Sequence, residues 1–295
     1  MGIFFIDQFI EYLQFQRKFS PHTLLAYRKD LSEFKEFASG QFEIENIEHI
    51  KNEVIRSWVS SLIGKGLEAV TVRRKISSLR SFFRYLQKEN IIEISPIRNM
   101  PKLKLAKKLP SVISIDAMNE IYDGVSPNPT YTQALDHIII CILYGTGIRR
   151  AELIGLLETN VDLEERQLKV LGKRNKERIV PITIELAEQI HNFIEIKKQM
   201  CIISEPMLVS KKGNKLYPGY VYNVVRKTLT LHKVNGKRSP HSLRHTYATR
   251  LLQNGAELLS VKELLGHSSL ASTQVYTHVN IEDLKKVYKK SHPKQ

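Results

Sequence analysis

The chain reads as a mainly α protein of two domains, an N-terminal helical bundle and a larger C-terminal domain with one small β-hairpin among its helices. Three observations predict this. Apolar residues recur at helical spacing behind recognisable start signals through most of the chain. A proline- and lysine-rich stretch without amphipathic period, SPIRNMPKLKLAKKLPSVIS, interrupts the pattern between about residues 96 and 112. Two short runs, Gln167 to Gly172 and Arg178 to Ile182, flank the polar KRNKE and carry the signature of paired strands. The domains are accordingly set at residues 1–100 and 111–295, with a basic linker at 101–110. The linker is expected to be extended because proline disfavours helix in the residue before it.

In the first domain, Ser20-Pro21 supplies an N-cap and a first-turn proline for a helix through Phe37. Its apolar face holds Leu24, Tyr27, Leu31 and Phe34. A second helix is expected from about Lys51 to Ile63. A third begins near Thr71, with Val72, Ile76, Leu79, Phe83 and Leu86 inward and Arg73, Arg74, Arg80 and Arg84 elsewhere. Almost no acid accompanies those arginines between residues 69 and 88, which favours a phosphate-tracking surface over an ordinary solvated face. Beyond the linker, the apolar run from His137 to Tyr144 is expected to end in a Gly145-Thr146-Gly147 turn, with a new helix starting near Ile148. The hairpin follows. A helix from Ser239 then carries Leu243, Tyr247, Ala248, Leu251 and Leu252 as its apolar stripe, and after a Gly266-His267 turn a short helix leads to Tyr276.

Composition narrows the function. Lys and Arg number 45 against 30 Asp and Glu, a formal charge of +15 with pI near 9.6. The excess is spread over both halves: residues 1–110 hold 19 basic and 12 acidic side chains, and residues 111–295 hold 26 and 18. A polyanion lying across both domains is the economical explanation, and nucleic acid is the common one. Two cysteines without a CxxC pattern suggest neither a disulfide framework nor a cysteine metal site, and fit a reducing cytosol. The apolar start MGIFFIDQFIEYL carries Asp7 and Glu11 and no basic leader, so it does not read as a signal peptide. The run Ile138 to Tyr144 is too short to cross a bilayer. His241 and His245 form an i,i+4 pair, yet no nearby carboxylate completes a ligand set, and no metal or other cofactor is expected.

Two arginines stand out. On the helix from Ser239, Arg244 projects inside the apolar stripe, close to Leu251. A buried guanidinium keeps its proton, so it calls for an anionic partner, either a carboxylate of the protein or a ligand. In GTGIRRAELIGLL, a helix from Ile148 puts Arg149 on the face of Leu153, Leu156 and Leu157, with Arg150 at its edge. Glu152 can reach back and orient Arg149. Either arginine alone is best read as structural. Two of them on inward stripes, one flanked by histidine, favour an anion site, and planar forks suit phosphate. Lys173 sits at the shoulder of the hairpin, where a lysine could reach a phosphate; Lys169 and Lys176 are equally placed, and an exposed hairpin lysine is more often solubilising. Tyr276, beside these groups, is the candidate nucleophile, its phenolate able to attack phosphorus once the oxyanion is stabilised.

These residues resemble one family. GTGIRRAEL around Arg149, GKRNKERIVPI around Lys173, HSLRHTYAT from His241, LLGH ending at His267 and TQVYTHV around Tyr276 are similar to the tyrosine recombinases, closest to the XerC/XerD branch of site-specific recombinases. FSPHTLLAYRKDLSEF and VRRKISSLRSFFRYL resemble that branch's DNA-embracing domain, so the likeness covers nearly the whole chain. Arg174, where a glycine is common, and Arg150-Ala151 depart from the usual wording. The resemblance implies a C-terminal tyrosine-recombinase catalytic domain in which Arg149 and Arg244 hold the scissile phosphate, oriented in part by Glu152. His241 would assist proton transfer, His267 complete the cradle, Lys173 protonate the departing 5′ oxygen, and Tyr276 form a 3′-phosphotyrosine. It further implies a double-stranded DNA recombination site, a tetramer on a Holliday junction with a second related recombinase, a division-associated DNA translocase and no membrane. The task it suggests is chromosome-dimer resolution in the cytoplasm, or else mobile-element integration. The tail IEDLKKVYKKSHPKQ would dock on a neighbouring protomer.

Overall fold

The computed structural model describes residues 4–98, 100, 112–124, 127–172 and 176–266. The linker at 101–110, the terminal tail, Lys173, His267 and Tyr276 lie outside them. The chain divides into two compact units, residues 1–108 and 109–295.

The first unit is all helix. α1 (Ile6–Glu11) runs on through a wider π turn at Tyr12–Gln16; α2 (Pro21–Phe42), α3 (Asn52–Gly64) and α4 (Ala69–Lys88) complete the bundle. The Ser20 side chain accepts from the Thr23 amide at the start of α2, so the expected cap forms, while the helix runs past Phe37 to Phe42. Phe9, Leu31, Phe34, Trp58, Phe82 and Phe83 fill the core, with Phe34 and Trp58 edge to face at 5.0 Å between centroids. All five residues of α4 read as inward are buried, as are Leu31 and Phe34; Leu24 and Tyr27 are half-buried.

A polar seam joins α2 to α4. The buried Asp30 carboxylate accepts from Ser78 Oγ at 2.8 Å, Lys75 Nζ at 3.3 Å and the Arg74 guanidinium. Lys75 also donates to Glu33. The acid missing from α4 is therefore supplied by α2, and Arg74, though its side chain is 48% exposed, is paired with it. Arg73, Arg80 and Arg84, spaced by seven and four, share one helical face; Arg80 and Arg84 line a surface hollow of about 340 Å³ together with Arg98.

The second unit is built around α6 (Tyr131–Thr146), which is buried along its whole C-terminal half. α5 (Ile115–Asp123), α8 (Ile184–Gln199), α9 (Pro218–Leu231) and α10 (Pro240–Gln253) pack on it. A three-stranded antiparallel sheet, β1 (Val161–Asp162), β2 (Gln167–Leu171) and β3 (Glu177–Pro181), stands beside α7 (Arg150–Ile154) and α11 (Leu258–Leu265). The expected hairpin is β2–β3, with Val170 opposite Arg178; the two-residue β1 was too short to leave a periodic signal. Among the described residues no helix is long and apolar enough to cross a membrane.

Three expectations need correction. α6 continues through Gly145 and Thr146, and the turn is made by Gly147 alone at φ 62°. A Cβ there would lie 2.3 Å from the Tyr247 ring, so the position needs glycine for space as well as for conformation. The next helix begins at Arg150, two residues past Ile148, so Arg149 is not inside it. Arg149 is its extended N-cap (φ −75°, ψ 150°), and α7 ends at Gly155. The shared helical face of Arg149, Leu156 and Leu157 therefore does not exist. The cause is Glu152, whose Oε2 accepts from the Arg149 amide at 2.7 Å, the return half of a capping box. On α10, Leu243, Tyr247 and Leu251 are buried as expected, but Leu252 is 40% exposed.

Candidate active site

The site grows from four local structures. α10 begins with Ser239, whose side chain accepts from the Ser242 amide, and Pro240 in the first turn. This presents His241 to solvent on the first turn and turns Arg244 inward one turn later. Arg244 is 5% exposed. Its two terminal nitrogens donate to the carbonyls of Gly147 and Leu265, both at 2.6 Å. Among the described residues its acceptors are therefore neutral backbone oxygens and not the carboxylate that was one of the two anionic partners expected; the other was a ligand. Burial first, and then the Arg149 charge, pull its pKa down to about 10, which leaves it cationic at neutral pH.

Arg149, at the N-cap of α7, donates to Glu152 Oε1 at 2.8 Å and to the Gly266 carbonyl at 2.7 Å. Its side chain stays 38% exposed. The predicted Arg149–Glu152 pair forms, though through a cap rather than along a helical face.

Glu152 has a second cation that sequence reading missed. Arg178, on β3, donates in parallel to both carboxylate oxygens at 2.9 Å and through Nε to the Leu264 carbonyl at 3.0 Å. The signal was available: strand alternation puts Arg178 on the same side as the buried Val180, an unusual place for a charge. Burial raises the Glu152 pKa, but the Arg178 hydrogen bonds, the Arg149 amide, the Arg178 charge and the Arg149 side-chain hydrogen bond outweigh it and hold the group down at about 2. Three guanidiniums surround one carboxylate, so the cluster keeps surplus positive charge.

Arg149, Arg244 and His241 line one open cavity of about 450 Å³, with Arg150, Lys237 and Tyr222 at its wall. A wide, cationic, open hollow suits a phosphate within a larger polyanion rather than an enclosed small molecule. Lys237 and Tyr222 are further residues the sequence did not single out. No group of three or more metal-ligating side chains occurs among the described residues.

Comparison with known proteins gives a consistent answer. The family model described as the phage integrase family matches residues 112–283, and its N-terminal SAM-like domain matches residues 6–90. The tyrosine recombinase XerC of Thermodesulfovibrio yellowstonii is 39% identical over 98% of this chain and 96% of its own. That of Listeria innocua is 36% identical over 97% of each. In fold, the chain is similar to the XerH site-specific recombinase bound to a palindromic difH substrate, with TM-score 0.71 and 22% identity over 95% of this chain and 82% of that one. It is similar also to a lambda integrase tetramer bound to a Holliday junction, with TM-score 0.68 and 18% identity over 94% and 79%. A family model spanning well over half of the chain, with relatives above a third identical along almost its full length, shows that the chain belongs to the phage integrase family, among its tyrosine recombinases.

Proposed function

We propose that this recombinase cuts and rejoins DNA at a specific site through a 3′-phosphotyrosine intermediate and a Holliday junction, in the service of chromosome-dimer resolution. The observation that carries the chemistry is the convergence of Arg149, Arg244 and His241 on one open cavity with surplus positive charge. A scissile phosphate seated there would have its non-bridging oxygens held by the two guanidiniums, which also meet the charge that develops in the transition state. His241 assists the proton transfer at the nucleophile. Tyr276 supplies that nucleophile, Lys173 the proton for the departing 5′ oxygen and His267 the last side of the cradle; these three assignments rest on their motifs.

The steps balance without an outside energy source. The Tyr276 phenolic oxygen bonds to phosphorus as the bond to the 5′ oxygen breaks, leaving a 5′-hydroxyl. A 5′-hydroxyl from the partner strand then displaces the tyrosine and takes over the phosphodiester. One ester replaces another at each step, so neither ATP nor a redox cofactor is required. Each protomer brings one tyrosine, and recombination of two duplexes cuts and rejoins four strands, in two pairs, which favours a tetramer. A second related recombinase, a division-associated translocase and a place on the nucleoid in the cytoplasm complete the reading; the full-length similarity to proteins named tyrosine recombinase XerC supports it.

Covalent capture tests it. Wild-type protein, trapped on DNA in its own cell and sequenced at the attachment point, should return one recurrent site. A nicked duplex bearing that site should yield a protein–DNA adduct in EDTA, and Tyr276→Phe should bind that duplex normally yet give none. An adduct that survives Tyr276→Phe would remove the nucleophile from this assignment.

A further inference from the structure

The last carbonyls of α11 are each taken by a different arginine. Leu264 O accepts from Arg178, Leu265 O from Arg244 and Gly266 O from Arg149. The end of a helix leaves such carbonyls unpaired and carries partial negative charge, so three guanidiniums are a favourable cap. Two of the three face the candidate cavity. The third, Arg178, does not line it; it is 14% exposed and spends its fork on Glu152.

Room for that fork is left by Gly266, and a second glycine, Gly172, lies beside it. A Cβ on Gly266, which sits at φ 62°, would come within 3.1–3.2 Å of the Arg178 guanidinium. A Cβ on Gly172 would stand in ordinary contact with the same group, at 3.5 Å, and with Glu152 Oε1, at 3.6 Å; its tight neighbour would be the Lys176 carbonyl at 3.2 Å. Gly172 closes the base of the hairpin through its bond to the Lys176 carbonyl at 2.7 Å. Arg178 thus touches the cap of α7, the end of α11 and the base of the β2–β3 hairpin at once.

We infer that Arg178 is a positioning residue of strand cleavage: it locks Glu152, and through it Arg149, against the end of α11, so that the phosphate clamp is set before DNA arrives. This inference rests on the recombinase reading above. Lysine at the position could reach one carboxylate oxygen, but it could not form the parallel pair and hold the Leu264 carbonyl together. A misplacement of about 1 Å in a group that orients the reacting phosphate costs about 100-fold in rate.

The test uses full-length Arg178→Lys and wild type on the nicked duplex identified by covalent capture, made in two forms. One carries the natural scissile phosphate, the other a neutral methylphosphonate there, which needs the arginine clamp much less. The expected result is unchanged DNA affinity, a cleavage rate down about 100-fold on the phosphate, and a deficit at least tenfold smaller on the methylphosphonate. Equal rates for the two proteins on the phosphate overturn the positioning role. An equal deficit on both duplexes, or lost DNA binding, also overturns it, because a general loss of structure does not distinguish the substrates. If wild type itself forms no adduct on the phosphate duplex, the recombinase reading fails and this inference goes with it.

Discussion

Replacing Glu152 with glutamine separates the arginine cluster from the rest of the fold. The carboxylate side chain is 3% exposed and accepts four hydrogen bonds, from the Arg149 amide, the Arg149 guanidinium and both ends of the Arg178 fork. Glutamine keeps one oxygen and turns an NH₂ group toward donors. The depression of the Glu152 pKa from 4.5 to about 2 corresponds to on the order of 3 kcal/mol of folding stability. Because the folded-state pKa is the lower one, this stabilisation is full above about pH 4.5 and is lost as the pH falls through about 2. Roughly 1.4 kcal/mol of it should be gone by about pH 3.5. Urea unfolding followed by far-UV circular dichroism at pH 7 and near 3.5 reads the helices of both units, and the part of the change that does not coincide with the Trp58 transition belongs to the second unit. Fluorescence of Trp58, the single tryptophan, follows the first unit and serves as an internal control. Glu152→Gln should lower the stability of the second unit at pH 7 by about 3 kcal/mol, the gap should narrow by roughly 1.4 kcal/mol near pH 3.5, and the Trp58 transition should stay in place. A gap of the same size at both pH values would refute the claim that an ionised Glu152 holds the cluster.

Other consequences follow from the same structure. Arg244→Ala should lower the cleavage rate about 10²–10³-fold, a loss of roughly 3–4 kcal/mol of transition-state stabilisation, while DNA affinity, spread over many phosphate contacts, changes little in a gel-shift titration; cleavage within tenfold of wild type would contradict its place on the phosphate. Asp30→Asn leaves Lys75 and Arg74 without their shared buried carboxylate, and should destabilise the first unit by about 3–5 kcal/mol. Its Trp58 transition should move to lower urea and the dichroism change of the second unit should not; an unmoved Trp58 transition would show that the polar seam contributes nothing.

The sequence on its own settled what depends on neighbours within a turn or two. Helical stripes marked α4 and α10, Ser20-Pro21 and Ser239 marked where α2 and α10 begin, and Glu152 three residues from Arg149 marked its partner. The inward direction of Arg244 was legible too, because a single helix carries it and its apolar neighbours. Where a local rule was applied across a break, it failed: the wheel drawn from Ile148 treated a cap as a helix, and the Arg149 backbone was already extended.

What the tertiary structure decided is the identity of the remaining partners. Arg178 meets Glu152 across 26 residues of chain, Arg244 meets Gly147 across 97, and Arg149 meets Gly266 across 117. Periodicity tells which face a side chain occupies but carries no information about which distant element closes on that face. Three of the decisive acceptors are backbone carbonyls at the end of α11, and every residue type has a carbonyl, so no letter in the sequence could announce them.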